Sequence, residues 1–191
     1  MNPVNPVNPV KNSLELQKGS TRITNVTEQN NSLTLRPVTA EDAAFLLQVY
    51  KSSRGEDLRE LGWDQTRIDE FLDMQYEAQR AFDDKDFPEA KDEVILSAGE
   101  RAGRLRVDSR ENEIRCVDLS LLPEFRNRGL GTLLLRRLQQ EAATANKPLR
   151  LQVIRYSRAI SLFERLEFVR TSESGTHFQM EWKPNVSEAQ P

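Results

Sequence analysis

Apolar and polar residues first alternate at Leu33-Thr34-Leu35-Arg36, which predicts a strand. Thr39 then stands as an N-cap, with Glu41 and Asp42 in the first turn of a helix that carries Phe45, Leu46, Val49 and Tyr50 on one side. Residues 54 to 66 are charged, contain Gly55 and Gly62, and read as a loop. A second helix is predicted over about 67 to 83, with Ile68, Phe71, Leu72, Ala78 and Phe82 as its apolar stripe. Strands at 94 to 98 and 104 to 107 flank Gly99-Glu100-Arg101-Ala102-Gly103, a hairpin signal. After a turn at Ser109-Arg110-Glu111-Asn112, an apolar-rich strand runs from Ile114 to Leu122. Leucines at helical spacing mark a helix from Leu130 to Ala145, ended by Asn146-Lys147-Pro148. Leu149 to Ile154 is a further strand and Ala159 to Leu166 a short helix. Phe168 to Arg170 and His177 to Trp182 form a closing strand pair around Gly175. The order β, α, α, β, β, β, α, β, α, β, β predicts a mixed α/β (α+β) layer around one sheet, not a repeating βαβ array.

The chain before this pattern is different. Its first ten residues hold three copies of Asn-Pro-Val, too short a repeat to form a packing unit. Residues 11 to 31 are polar. Residues 1–31 are therefore expected to be a disordered tail, 32–184 the folded domain and 185–191 a short C-terminal tail. A length of 191 residues suits that single domain. The net charge of −3 argues against general nucleic-acid binding. No apolar run approaches the roughly 18 residues of a membrane helix, and the N-terminus has no apolar signal core. One cysteine, Cys116, permits no intrachain disulfide and favours a reducing compartment. The expected location is cytoplasmic, with neither nucleic acid nor membrane as partner.

The strand at 114 to 122 and the helix from 130 are joined by Arg126-Asn127-Arg128-Gly129-Leu130-Gly131-Thr132. A glycine-rich turn between a strand end and a helix start gathers backbone N–H groups at the positive end of the helix dipole. Such a turn holds a phosphate or pyrophosphate without a metal. It follows the fourth strand, where a dinucleotide-binding fold would place its glycines after the first, and Gly131-Thr132 lacks the lysine of a nucleotidase phosphate loop.

The stretch Leu119-Ser120-Leu121-Leu122-Pro123-Glu124-Phe125-Arg126-Asn127-Arg128-Gly129-Leu130-Gly131 resembles the motif x-Pro-x-x-Arg/Gln-x-x-Gly-x-Gly/Ala of the GCN5-related N-acetyltransferases (GNAT). The later Ala159-Ile160-Ser161-Leu162-Phe163-Glu164-Arg165-Leu166-Glu167-Phe168 resembles that family's Asn-x-x-Ala-x-x-Leu-Tyr-x-x-x-Gly-Phe, and the resemblance spans about 33 to 183. It implies the GNAT acyl-CoA N-acyltransferase fold, with a mixed central sheet, splayed central strands and flanking helices. It implies acetyl-CoA or a related acyl-CoA as donor and no metal. Backbone N–H groups of Arg126, Asn127, Arg128, Gly129, Leu130, Gly131 and Thr132 would hold the pyrophosphate. The backbone of Leu119, Ser120 and Leu121 would pair with the pantetheine arm like an added strand. The strand at 149 to 154 would diverge from it there. Arg126 and Arg128 either add charge near the phosphates or are ordinary solvated arginines.

Acetyl transfer to an amine needs a proton acceptor for the amine, a donor to the developing oxyanion and a route for the leaving thiolate. The resemblance assigns the oxyanion to the Leu121 N–H. Asp118, flanked by Val117 and Leu119, is the candidate base, against the plain reading of a hydrogen-bonded carboxylate; Glu113 and Glu124 read as solvated. The chain departs from the family at three places. Phe163 replaces the tyrosine that protonates the thiolate. Tyr156, beside Ser157, replaces the asparagine near the pantetheine. Glu167 replaces a glycine. Either the thiolate leaves unaided or with a proton from water, or Tyr156 or Ser157 supplies the proton, or the domain is a non-catalytic acyl-CoA-binding or adaptor protein. Phe163 itself reads as core.

Cys116 reads as a small buried apolar group, and His177 is the sole histidine, so a zinc site of usual composition is excluded. Glu56, Asp57, Glu60 and Asp64, near Trp63, either form an acidic lip for a cationic amine or a solvated loop. The acceptor is a small-molecule amine or a protein amine, and a homodimer is compatible with this reading.

Overall fold

A computed structural model describes residues 32–60 and 62–185, without the side chains of Glu56, Asp57, Arg59 and Glu60. The expected tail at 1–31 with its Asn-Pro-Val repeats, residues 186–191 and the acidic side chains at 56, 57 and 60 lie outside the described residues.

Among the described residues seven strands form one sheet: β1 (Leu33–Pro37), β2 (Lys91–Ser97), β3 (Glu100–Ser109), β4 (Ile114–Leu121), β5 (Leu149–Ile154), β6 (Val169–Ser174) and β7 (His177–Trp182). Their spatial order is β1-β2-β3-β4-β5-β7-β6. Every pair is antiparallel except β4 with β5. Among the described residues four α-helices flank it: α1 (Ala43–Glu60), α2 (Gln65–Asp86), α3 (Leu130–Ala145) and α4 (Ile160–Arg165). Alternation along the strands separates the two faces. Arg106 of β3 reaches the C-terminal end of α2, donating to Asp84 Oδ1 at 2.8 Å. Glu93 of β2 faces the other way and feels the charges of Arg137 and Glu141 on α3. The sheet therefore lies between α2 and α3. The apolar core fills both sides, with Phe45, Leu46 and Val49 of α1 and Leu134, Leu135 and Leu138 of α3 all buried.

α3 follows its predicted stripe: Leu130, Leu134, Leu135, Leu138 and Ala142 are the buried positions. The region between α1 and α2 differs from expectation. Residues 54 to 60 continue α1, with Gly55 buried inside it. A buried glycine carries only a modest helix penalty, and packing overrides it. The remaining link is short because Asp64 caps α2, its carboxylate accepting the Arg67 N–H at 2.9 Å. On α2 the buried line is Ile68, Leu72, Tyr76 and Asp83, while Phe82 is 58% exposed and Ala78 is also exposed. The helix presents a polar group, Asp83, to buried charges on the sheet, which a search for apolar spacing misses.

The β2–β3 hairpin is tighter than the five residues expected. Ser97 pairs with Glu100, and the two-residue turn has Ala98 at φ 51° and Gly99 at φ 85°. Positive φ at both positions is the mirror-image turn that suits strand twist. Gly103 is thus inside β3, where a Cβ would run into the Ser120 carbonyl of β4.

β4 and β5 pair over three positions only: Ile114–Leu149, Arg115–Arg150 and Cys116–Leu151. The β3–β4 register explains why pairing stops. Arg106 faces Asp118 and Val107 faces Cys116, so Val117 is an extra residue in β4. A bulge bends the strand that carries it. Beyond Val117, β4 stays with β3 and leaves β5, opening the expected splay.

Candidate functional site

The splay leaves part of the β4 backbone without a partner strand. The Leu122 N–H donates to the Ala102 carbonyl at 2.9 Å. This makes the facing pair Gly103–Leu121 a non-hydrogen-bonded one, and Leu105–Leu119 likewise by alternation. The N–H and C=O groups of Leu119 and Leu121 therefore point away from β3, into the cleft. Those of Ser120 point to Arg104 and belong to the β3–β4 ladder. Of the three residues expected to pair through their backbone with an extended ligand, Leu119 turns its N–H and C=O to that side, Leu121 turns its N–H there while its carbonyl accepts from Arg126 Nε at 2.9 Å, and Ser120 faces β3.

The glycine turn lies at the same end. β4 and β5 run parallel, so Leu121, the turn at 126–132 and Tyr156 all follow C-terminal strand ends. A 3-10 turn, Pro123–Phe125, ends β4. Asn127 at φ 58° and Gly129 at φ 83° then swing the chain into α3. A Cβ at Gly129 would meet nothing within 4 Å, so glycine is needed there for its backbone angle. At Gly131 a Cβ would stand 3.4 Å from Leu162 Cδ2 of α4, at the edge of ordinary packing contact. The first intrahelical bond of α3 is the Leu133 N–H to Gly129 at 3.0 Å. Leu130, Gly131 and Thr132 thus present amides ahead of the ladder. Among the described residues, the backbone bonds outside regular elements include none donated by Asn127, Arg128 or Gly129. Arg126 does not extend this set, because its N–H donates to the Pro123 carbonyl at 3.2 Å. The run of amides open to a ligand is Asn127 to Thr132, one amide shorter than expected.

Arg126 turns back, its Nε donating to the Leu121 carbonyl at 2.9 Å and its Nη2 to the Ser52 carbonyl of α1 at 3.0 Å. The Arg128 guanidinium lies 5.6 Å from the Phe125 ring centroid.

Asp118 follows the bulge and sits on the α2 side of the sheet. It accepts the Ser120 hydroxyl at 2.7 Å and lies 3.7 Å from Arg104 Nη1, with its side chain 21% exposed. Arg104 is fixed in turn by two bonds to Asp92, of 2.8 and 2.6 Å. Burial pulls the Arg104 pKa down, but those bonds and the charge of Asp118 outweigh it and raise it. Asp83 lies nearby, its carboxyl pushed up by burial and pulled back by Arg106. Burial also raises the Tyr50 hydroxyl, whose ring packs 5.2 Å from Tyr76. Arg104, Arg106, Tyr50, Tyr76, Asp83 and Asp92 were not expected at the site. The available signal was a pair of arginines alternating with Leu105 and Val107 along β3, which reads equally as an exposed strand face.

The remaining candidates fall as follows. Phe163 is buried and packs against Phe168 at 5.8 Å, so its core assignment holds. Tyr156 is 90% exposed in the turn after β5. Ser157 lies just ahead of α4, its Oγ accepting the Ala159 N–H at 3.2 Å. Burial pushes the Cys116 thiol up to about 12, which removes it as a nucleophile at neutral pH. Glu113 is not solvated as expected. It is buried, and accepts from Arg115 at 3.0 Å and Arg150 at 2.7 Å. Glu124 is exposed, and His177 Nδ1 stands 3.1 Å from Thr176 Oγ1. Of the acidic lip, Asp64 is committed to its helix cap. Among the described residues no group of three or more His, Cys, Asp or Glu side chains is arranged to hold a metal ion. No described helix is long and apolar enough to cross a membrane.

Residues 90–170, from the start of β2 through the turn at 127–132 and α4 to β6, match the family model of the acetyltransferase (GNAT) domain. Over those residues the chain is similar to the GNAT acetyltransferase domain. The GNAT fold is also what the solved structures show. PaiA N-acetyltransferase from Thermoplasma acidophilum, in complex with coenzyme A, is 19% identical with a TM-score of 0.62, over 80% of this chain and 99% of that one. An acetyltransferase from Thermus thermophilus is 19% identical with a TM-score of 0.57, over 79% and 96%. The ribosomal-protein-S18-alanine N-acetyltransferase from Escherichia coli is 15% identical with a TM-score of 0.54, over 83% and 99%. No curated protein sequence matches the chain. In this fold the bulge at Val117, the parting of β4 from β5 and the turn at 127–132 lie at the same end of the sheet.

Proposed function

We propose that the protein is an N-acetyltransferase that moves an acetyl group from acetyl-CoA to an amine by direct attack in a ternary complex. The observation that carries this reading is the alignment of two open backbone sets along one path. The Asn127–Thr132 amides sit at the mouth of α3, and the cleft-facing groups of Leu119 and Leu121 follow from them. A ligand with a diphosphate at one end and amides along its arm needs both sets, in that order. PaiA N-acetyltransferase, which shares the fold, is a complex with coenzyme A.

In this reading Leu121 donates its N–H to the thioester oxygen as negative charge develops there. Asp118 takes the proton of the attacking amine, directly or through one water, while Ser120 and Arg104 hold its carboxylate in place. The amine nitrogen forms the new C–N bond as the C–S bond breaks. Phe163 has no proton to give the thiolate. Water supplies it, or the hydroxyl of Tyr156 or of Ser157 does. The Ser157 oxygen accepts from Ala159, which leaves its own proton free to donate. The acceptor is a small-molecule amine or an amine of a protein, the donor-binding unit is residues 32–184, and the protein works in the cytoplasm.

Titration calorimetry with acetyl-CoA tests donor binding, and release of free thiol across a panel of amines tests transfer. The buried, hydroxyl-free Phe163 favours a second reading, a non-catalytic acyl-CoA-binding or adaptor protein. Binding of acetyl-CoA with no thiol release across a wide panel supports that one.

A further inference from the structure

We propose that Arg126 is a positioning residue that couples the donor cradle to helix α1, not a phosphate ligand. The inference rests on the acyl-CoA reading of residues 127–132. Three observations carry it. The Arg126 backbone stands immediately before the cradle, with its N–H already used by Pro123. Its guanidinium leaves the helix mouth and spans two carbonyls of other elements, Leu121 at the end of β4 and Ser52 in α1, with Ser52 Oγ a further 3.4 Å from Nη2. The Leu121 carbonyl is one of the cleft-facing groups left without a strand partner by the splay.

The planar guanidinium has donors at fixed angles, so two acceptors on different elements can be held at once. One acceptor fixes the last cleft-facing peptide of β4, and hence the direction of the Leu121 N–H beside it. The other fixes α1, which packs across β3 and β4 on the face that carries Asp118. Ligand that orders the cradle therefore also orders α1 through Arg126. Donor binding thereby sets the wall next to the candidate base before an acceptor arrives.

Arg126→Lys and Arg126→Gln separate this role from an electrostatic one. Lysine keeps the charge but concentrates its donors on one nitrogen, and cannot reproduce the fork. Coenzyme A is the probe, with affinity read by calorimetry and amide exchange of α1 read by mass spectrometry with and without it. In the wild type, coenzyme A is expected to slow exchange around residues 49–56. Both variants are expected to bind at least fivefold more weakly and to lose that α1 protection, with lysine no better than glutamine. Lysine within twofold of the wild type, with α1 protected, overturns the proposal. Absence of α1 protection in the wild type overturns it as well, and that measurement stands even if the variants fold poorly. If wild-type protein does not bind coenzyme A, the donor reading and this inference fall together; if only the coupling fails, the donor reading stands.

Discussion

Gly129→Asp and Gly129→Asn differ by one charge at the mouth of α3. Gly129 is exposed at φ 83°, with open space around the position a Cβ would take. Both substitutions bear a similar backbone strain of about 1 kcal/mol, and both side chains tolerate left-handed backbone better than most. Their folding stabilities should therefore agree closely. Binding should not. A carboxylate about 5 Å from a bound diphosphate is repelled by about 3 kcal/mol at an effective dielectric of about 20. Exposure of the site roughly halves this, to about 1.5 kcal/mol, or about tenfold in affinity. The carboxylate can also accept from the Asn127–Thr132 amides itself, which adds to the loss. Calorimetry with coenzyme A, beside urea unfolding of the same samples, measures both quantities. The Asp variant is expected to bind at least tenfold more weakly than the Asn variant, with the gap narrowing as salt rises. Equal weakening by Asp and Asn, or an Asp variant that binds like the wild type, refutes an anion at this helix mouth.

Phe163→Tyr places a hydroxyl where the structure has a buried ring edge; faster thiol release is expected if departure of the thiolate limits turnover, and an unchanged rate shows that it leaves without that proton. Glu167→Gly relieves a non-glycine residue at φ 65° that closes α4, where the Phe168 N–H reaches the Phe163 carbonyl at 3.0 Å; a gain of about 0.5–1 kcal/mol in urea unfolding is expected, and a loss contradicts the strain argument. Burial alone would raise the Glu113 carboxyl, but hydrogen bonds from Arg115 and Arg150 outweigh it and hold it below the usual glutamate range. Its stabilisation is therefore complete above that range and lost as pH falls through the lowered value. Glu113→Gln should cost about 2 kcal/mol at neutral pH and flatten the acid limb of the stability profile. A variant as acid-sensitive as the wild type excludes Glu113 as a source of that limb.

The element order, the long helix α3 and the glycine turn ahead of it were all legible in the chain. Each is a local property: apolar spacing along one helix, alternation along one strand, and glycine where φ must turn positive. Phe163 was legible as core for the same reason. The site's polar half was not. Arg104 and Arg106 give the same alternating pattern whether they face water or the underside of α2, and only the packing of α2 decides between them. The Glu113 cluster and the outward-facing Phe82 have that origin too, since burial depends on which partner element arrives and not on residue type. The glycines and leucines of residues 129–138 by themselves determined where the chain turns from β4 into α3 and which face of that helix is buried. Tertiary structure alone decided what surrounds that turn: the extra residue at Val117 parts β4 from β5, and the Arg126 guanidinium turns back to the Leu121 carbonyl because the Ser52 carbonyl, from a distant part of the chain, also lies within its reach.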